Sequence, residues 1–450
     1  MKKKNVSMEI INPFAAGIDV GSRSHFVAIG QAEKDVKEFG VYDEDLKSIA
    51  QHLLDNKIKT VAMESTGTYW QNLFSTLQNA GLEVILCNGK FTKNIKGKKT
   101  DVQDCQWIQK LHSLGLLSGS FLPDSATEQL RTFCRHRGNL IDISASTTKK
   151  MQKYLRLMNY RLDVVVRDSV GLTGLLIIEA ICKGENNPSV LSEFRHGNCR
   201  KSKEEIEKAL HGNDRKDYLF ALQQEYDLYK IIQSKIEECD KEIEKVLSLQ
   251  ISIDKSKSAL KIDAKIYKRA NKNAPKNMDL NQLAYQYFGG VDLMSIEGVS
   301  HSTVITCMSE VGLEGFKKFG TSKQFTSWLR LSPNNKISGG KVLSSKIPKG
   351  SNRLKIALRN AANAIGNLKE SHLSVFFNRI CFRRGRHAAV SATARKLAVI
   401  IWNMVVKKIP YNPPSKYEFL DQKRKRKVIE MRKLISKFEI STNELGFAGT

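Results

Sequence analysis

Phe14-Ala15-Ala16-Gly17-Ile18-Asp19-Val20 is an apolar run rich in strand formers, and Gly21-Ser22-Arg23-Ser24 behind it has the composition of a turn. His25 to Ile29 returns as a second strand, so residues 14–29 form a hairpin, and Val36 to Tyr42 supplies a third strand. Working outward, Asp43 to Asp55 spaces Leu46, Ile49, Ala50, Leu53 and Leu54 as one face of an amphipathic helix. Thr60 to Met63 is a short buried strand, Tyr69 to Ala80 a helix with Gly81 as its stop, and Leu82 to Cys87 a further strand. Asp101 to Leu114 is helical, with Trp107, Ile108 and Leu111 on one face.

The order β-β-β-α-β-α-β-α predicts a mixed sheet with helices on its faces, an α/β unit in the ribonuclease-H-like order, over residues 10–122. Strand signals then vanish. Ala126 to Leu157 and Tyr218 to Leu249 read as long polar helices. The second carries Leu222, Tyr226, Tyr229, Ile232, Ile236, Ile243 and Leu247 at near-heptad spacing. Residues 123–278 are therefore expected to be a helical, coiled-coil assembly region that ends in a Lys- and Asn-rich linker, Lys255 to Asn277. Residues 279–410 predict a mainly α unit, with helices at Ser302 to Glu310, Ser322 to Leu329, Asn352 to Leu368 and Ala388 to Val406. A Gly/Ser/Lys-rich loop interrupts them from Ser332 to Ser351. A basic tail, 411–450, contains Lys423-Arg424-Lys425-Arg426-Lys427.

The charge narrows the function. Lys plus Arg number 73 against 46 Asp plus Glu in 450 residues, a net +27, which calls for a polyanionic partner, most commonly nucleic acid. The asymmetry peaks in 331–410, with sixteen basic residues and the single acid Glu370. The eight cysteines are scattered with no CxxC pair, which speaks against a zinc ribbon and against a secreted disulfide scaffold. No run of about 18 uncharged apolar residues predicts a membrane span; the best stretch, Leu397 to Val406, is too short. A cytoplasmic protein with no membrane partner is expected. No phosphate-binding loop of an ATPase occurs.

Four acids can converge. Asp19 lies near the end of the first strand and Glu64 ends a later one. Asp101 and Asp104 open a helix three residues apart, on one face. Singly, Asp19 reads equally as a turn cap and Asp101 as a helix N-cap. Together, clustered carboxylates repel unless cations neutralise them, and hard oxygen donors suit Mg²⁺ or Mn²⁺. Lys90, Lys93, Lys96, Lys98 and Lys99 precede Asp101 and can steer a phosphate backbone toward the acids. Phe376, Phe377 and Phe382 stand among arginines, including Arg383 and Arg384, where they serve either as core or as stacking platforms for bases.

Gly17-Ile18-Asp19-Val20, Met63-Glu64-Ser65-Thr66-Gly67-Thr68-Tyr69-Trp70 and Lys99-Thr100-Asp101-Val102-Gln103-Asp104 together resemble the DEDD transposases of bacterial insertion sequences, the 110/1111 insertion-sequence family. Ser338-Gly339-Gly340-Lys341, Ile347-Pro348-Lys349-Gly350-Ser351-Asn352-Arg353-Leu354 and Ala357-Leu358-Arg359 are similar to that family's C-terminal transposase domain. The resemblance spans roughly 12–120 and 285–407. It implies a RuvC-like domain in which Asp19, Glu64, Asp101 and Asp104 are the metal-binding acids. It also implies that Ser338 attacks DNA to form a phosphoserine intermediate. Further, it implies self-association as a dimer or tetramer, with one subunit's serine completing another's RuvC-like site. A structured non-coding guide RNA from the element and a bacterial, nucleoid-associated location follow from it too. Members usually carry Ile-Pro-Gly-Ile-Gly ahead of the serine region; here the match is Ile296-Glu297-Gly298-Val299-Ser300, without the Pro or the second Gly.

A serine hydroxyl is a weak nucleophile and needs a base or a metal. Gly339 and Gly340 let a phosphate approach the backbone, and Lys341, Lys349 and Arg353 can neutralise it. Ser338 also reads as a plain turn residue, with Ser344 and Ser345 as substitute nucleophiles. The rival reading is a metal-dependent nuclease or junction resolvase in which water attacks, and a third is a non-catalytic nucleic-acid-binding protein.

Overall fold

The computed structural model describes residues 9–89, 100–213, 215–253, 255–261, 267, 273–276, 278–350, 352–369, 371–414 and 416–440. The chain forms two compact units, residues 1–122 and 123–450.

In the first unit, β1 (Ala15–Val20), β2 (His25–Ala28), β3 (Val36–Phe39), β4 (Thr60–Glu64) and β5 (Glu83–Cys87) make one sheet in the order β3-β2-β1-β4-β5. β2 runs antiparallel to both β1 and β3, whereas β4 is parallel to both β1 and β5. That is the ribonuclease-H-like order expected from the meander followed by β-α units. The sheet is covered on both faces. On one, Ile18, Val20 and Met63 meet Leu46, Ile49 and Leu53 of α1 (Asp43–Asp55) and Leu73 and Leu77 of α2 (Trp70–Asn79). On the other, Ala62 and Cys87 meet Ile108 of α3 (Asp101–Ser113). A β-carbon on Gly17 would lie 2.2 Å from the Gln109 backbone nitrogen and 2.6 Å from the Cys105 carbonyl oxygen, so glycine is what lets α3 lie directly on β1.

The α3 face differs from the apolar pattern. Trp107 and Leu111 are only half-buried, while Cys105, Ile108, Gln109 and His112 face the sheet. Buried polar groups need partners, and these have them: Gln109 Nε2 donates to the Ala15 carbonyl (3.1 Å), and His112 Nε2 pairs with Thr60 Oγ1 (2.9 Å).

The second unit is built on α4 (Ser125–Leu157) and α6 (Lys216–Ser252), which pack along each other. Their cross-links, Lys150–Glu225, Gln233–Ser144 and Arg137–Asp240, run in opposite directions along the two helices, so the pair is antiparallel. Leu222, Tyr226, Tyr229, Ile232, Ile236, Ile243 and Leu247 are all buried, as the heptad spacing requires. At the tip, α5 (Leu172–Cys182) buries Ile177, Ile178 and Ile181 against Met151, Leu155 and Tyr226. Residues 262–266, 268–272 and 277 of the expected linker lie outside the described residues.

Three further helices gather on α11 (Arg386–Lys407). They are α8 (Ser322–Trp328), α9 (Arg353–Ile365) and α10 (His372–Arg384), and α7 (His301–Glu310) joins α9 to α4. α11 is longer than the short apolar stretch read from the sequence. By length and composition it is long and apolar enough to cross a membrane, yet 56% of its apolar stretch is buried inside the unit, as befits a core helix. The expected loop from 332 to 351 is instead a two-stranded hairpin of β6 (Lys336–Ser338) and β7 (Lys341–Ser344). The basic run 423–427 sits in a helix, α12 (Lys416–Lys437).

Candidate active site and nucleic-acid surface

The register of the first sheet decides where the acids stand. Ile18 pairs with Met63 in the parallel ladder, so Asp19 and Glu64, one residue further on, are lateral neighbours at the C-terminal ends of β1 and β4. Side chains alternate along a strand. Gly17 and Ala62 face α3, so Asp19 and Glu64, two residues on, face it as well. Asp104 precedes Cys105, whose carbonyl touches Gly17, and so enters from the helix side. The thiols between them register these charges. Burial first, and then the Asp19 and Asp104 carboxylates, pushes Cys105 up to about 12, while burial and Glu64 push Cys87 up to about 11.

Asp19, Glu64 and Asp104 are half-buried and Asp101 is exposed. Thr100, not Asp101, is the N-cap of α3, its hydroxyl accepting from Gln103 N at 3.3 Å; Asp101 is the first helical residue. Asp19 lies inside the β1 ladder opposite Phe26, so it is not a turn cap. The donors suit a hard divalent cation by type: carboxylate oxygens half-withdrawn from water, with Glu64 lying where a Gly89 side chain would be. Among the described residues, no three His, Cys, Asp or Glu groups stand close enough together to hold a metal ion as they are. Lys96, Lys98 and Lys99, with Lys90 and Lys93, lie outside the described residues.

In the second unit Ser338 ends β6 and pairs with Lys341 across Gly339-Gly340. Both glycines have positive φ, +54° and +75°, as a two-residue hairpin turn of this hand demands. That is a structural need for the glycines in addition to phosphate access. Ser338 and Lys341 are exposed, and so are their apolar neighbours Ile337, Val342 and Leu343. The hairpin base is tied by Asn334 N donating to the Lys346 carbonyl (3.0 Å) and by Arg330 Nη1 donating to the Lys349 carbonyl (2.9 Å). Lys349 itself is exposed. Arg353, exposed at the start of α9, lines a groove with Gly138 and Glu310, away from the serine turn.

Arg383 and Arg384 line a different groove, with Lys346, Arg395 and Lys396. Of these, the sequence singles out only Arg383 and Arg384. The signal was there: Ser391, Arg395 and Val399 recur every four residues on α11, one stripe on one face. Of the three phenylalanines, Phe377 is core, Phe376 lines this groove, and Phe382 is 95% exposed.

Glu297, which departs from the family turn, has a definite job. It accepts hydrogen bonds from Tyr411 Oη and from Ser371 Oγ (3.4 Å), and His372 Nδ1 lies 3.5 Å away. The turn is thereby pinned to the start of α10 and to the segment after α11. Burial alone would raise the Glu297 carboxyl. His372, Tyr411 and its own backbone amide outweigh that and hold it down at about 2.

No curated protein matches the chain. Two family models do, in chain order. A DEDD transposase model of the IS110 type, described as a transposase, covers residues 16–160, and the transposase IS116/IS110/IS902 family model covers 292–376. The first contains all four acids and their sheet; the second contains the serine hairpin and the Glu297 turn. The first model runs from the acid-bearing sheet on through α4, the second lies within the serine-bearing unit, and together they cover half of the sequence: the chain belongs to the IS110 family of DEDD transposases, enzymes that recombine DNA.

Proposed function

We propose that this transposase cuts and rejoins insertion-sequence and target DNA through Ser338, guided by a structured RNA and assisted by Mg²⁺ or Mn²⁺ held by Asp19, Glu64, Asp101 and Asp104. The observation that carries the reading is the placement of Ser338 on an exposed hairpin beside a tight glycine turn, within the segment matched by the second family model. The Ser338 hydroxyl forms a bond to a backbone phosphorus and one bridging P–O bond breaks. The serine proton ends on the oxygen of the departing strand. An incoming strand hydroxyl reverses these changes, so rejoining consumes no nucleotide triphosphate. Lys341 offers positive charge to the phosphate next to the serine. Asp19, Glu64, Asp101 and Asp104 would hold the cation, which would supply charge neutralisation for a phosphate. The helices of 123–278 serve self-association, as a dimer or tetramer.

The test is to incubate the protein, Mg²⁺ and co-expressed RNA with DNA spanning the element ends, and to look for a denaturant-resistant protein–DNA adduct. An adduct present in wild type and lost in Ser338→Ala is expected. Cleavage without an adduct would replace this reading with attack by water.

A further inference from the structure

The groove between the hairpin base, α10 and α11 has a volume of about 1160 Å³. That exceeds the ~300–1,000 Å³ of ordinary small-ligand clefts, so it has room for several linked groups. Its floor is apolar: Ile347 from the hairpin side, Phe376 and Ile380 from α10, Val399 from α11. Its rim is cationic, with Lys346, Arg383, Arg384, Arg395 and Lys396, and no carboxylate lines it among the described residues. None of these five cations forms an ion pair among the described residues. The Lys396 ammonium lies 4.7 Å from the Phe376 ring centre, and Arg379 stacks near the same ring at 5.7 Å.

This combination selects its occupant. A duplex offers phosphates and base edges but keeps its base faces stacked inside, so it would leave the floor unused. A second copy of this chain, at +27, would bring more positive charge to a rim already uncompensated. An unpaired strand offers both things the groove lacks: anionic phosphates at a fixed spacing, and flat apolar base faces. We propose that this groove binds an unpaired stretch of nucleic acid, bases on the Phe376–Ile380–Val399 floor and phosphates on the arginine rim, and so holds a separated strand close to the serine hairpin. The proposal rests on the chain's action on nucleic acid but not on Ser338 being the nucleophile.

The experiment uses the full chain with a single-stranded oligonucleotide carrying 2-aminopurine and with the same sequence as a duplex. The single strand is expected to bind at least tenfold tighter, with 2-aminopurine fluorescence quenched. Phe376→Ala should remove the quench and weaken single-strand binding about tenfold while leaving duplex binding within twofold; Phe376→Tyr should restore both. Arg383→Ala with Arg384→Ala should flatten the salt dependence of single-strand binding. A Phe376→Ala protein with wild-type melting that still quenches the probe overturns the proposal. So does one whose oligomeric state changes while its single-strand affinity does not, since that would seat a second copy in the groove. Ser338→Ala should keep the quench while losing the adduct. A wild type that quenches but forms no adduct would remove the serine reading and leave the groove standing.

Discussion

The acids and the serine are mounted in opposite ways. Asp19 and Glu64 are set by a parallel ladder whose adjoining residues, Ile18 and Met63, are fully buried, and Asp104 comes from a helix that touches the sheet backbone to backbone. Ser338 stands on a hairpin whose first strand is wholly exposed and pairs only with the second. Two-stranded hairpins are marginal by themselves, so the positions of the acids are inherited from a core, while that of the serine depends on a turn and a few backbone ties at its base. In the proposed chemistry, one half is built as a fixed fixture and the other as a projecting arm.

The sharpest way to test that contrast is to delete chemistry without touching the mount. Ser338→Ala should reduce adduct formation by at least a thousandfold, with melting unchanged and DNA binding within twofold. Glu64→Gln or Asp101→Asn should reduce strand transfer at least a hundredfold, again without unfolding; undiminished turnover would remove the metal-site assignment.

Next come changes to the mounts themselves. Gly17→Ala drives a methyl group into the α3 backbone and should destabilise the first unit by about 3 kcal/mol, visible as a lowered first transition in calorimetry. Gly340→Ala meets no atom within 4 Å but must hold a positive φ. It should cost about 1–2 kcal/mol locally, lowering adduct yield severalfold while leaving both melting transitions in place. If the two glycines behaved alike, the contrast between fixture and arm would be wrong.

The smallest effect is on pH. Burial lowers His25 and His112 below the ordinary 6.5, partly offset by Asp45 and Glu83 respectively. A depressed folded-state pKa gives stability that is complete above 6.5 and drains as pH falls below it. Glu297, held near 2 against an ordinary 4.5, gives stability that is complete above about 4.5 and is lost between there and 2. Acidification should therefore raise amide exchange around α3 and β4 before it loosens the 297–300 turn; the reverse order would contradict both assignments.

The first unit was readable because its strands alternate with helices and its turns carry glycine. What misled was α3, where hydrophobicity pointed to Trp107 and Leu111. The helix instead turns Gln109 and His112 inward, because the bare backbone at Gly17 and the Ala15 and Thr60 oxygens offer them partners. The serine hairpin hid behind its polar composition, although Gly339-Gly340 flanked by Ile337 and Val342 is a hairpin signal. Helix α10 was obscured by its arginines, which mask the Leu373 and Phe377 spacing that anchors it. That Asp19 and Glu64 stand at strand ends was legible from the strand pattern; the cationic groove was not, because its lining comes from three separate segments of chain.

The wholly N-terminal location of the acid fixture has a consequence for synthesis. Its sheet and helices are complete by residue 122, while Ser338 lies more than two hundred residues further along. At translation rates of about 5–20 residues per second, the ribosome needs on the order of 10–40 s to cover that gap. Every newly made molecule thus passes through an interval in which the sheet that carries the acids can already be folded while the serine hairpin does not yet exist.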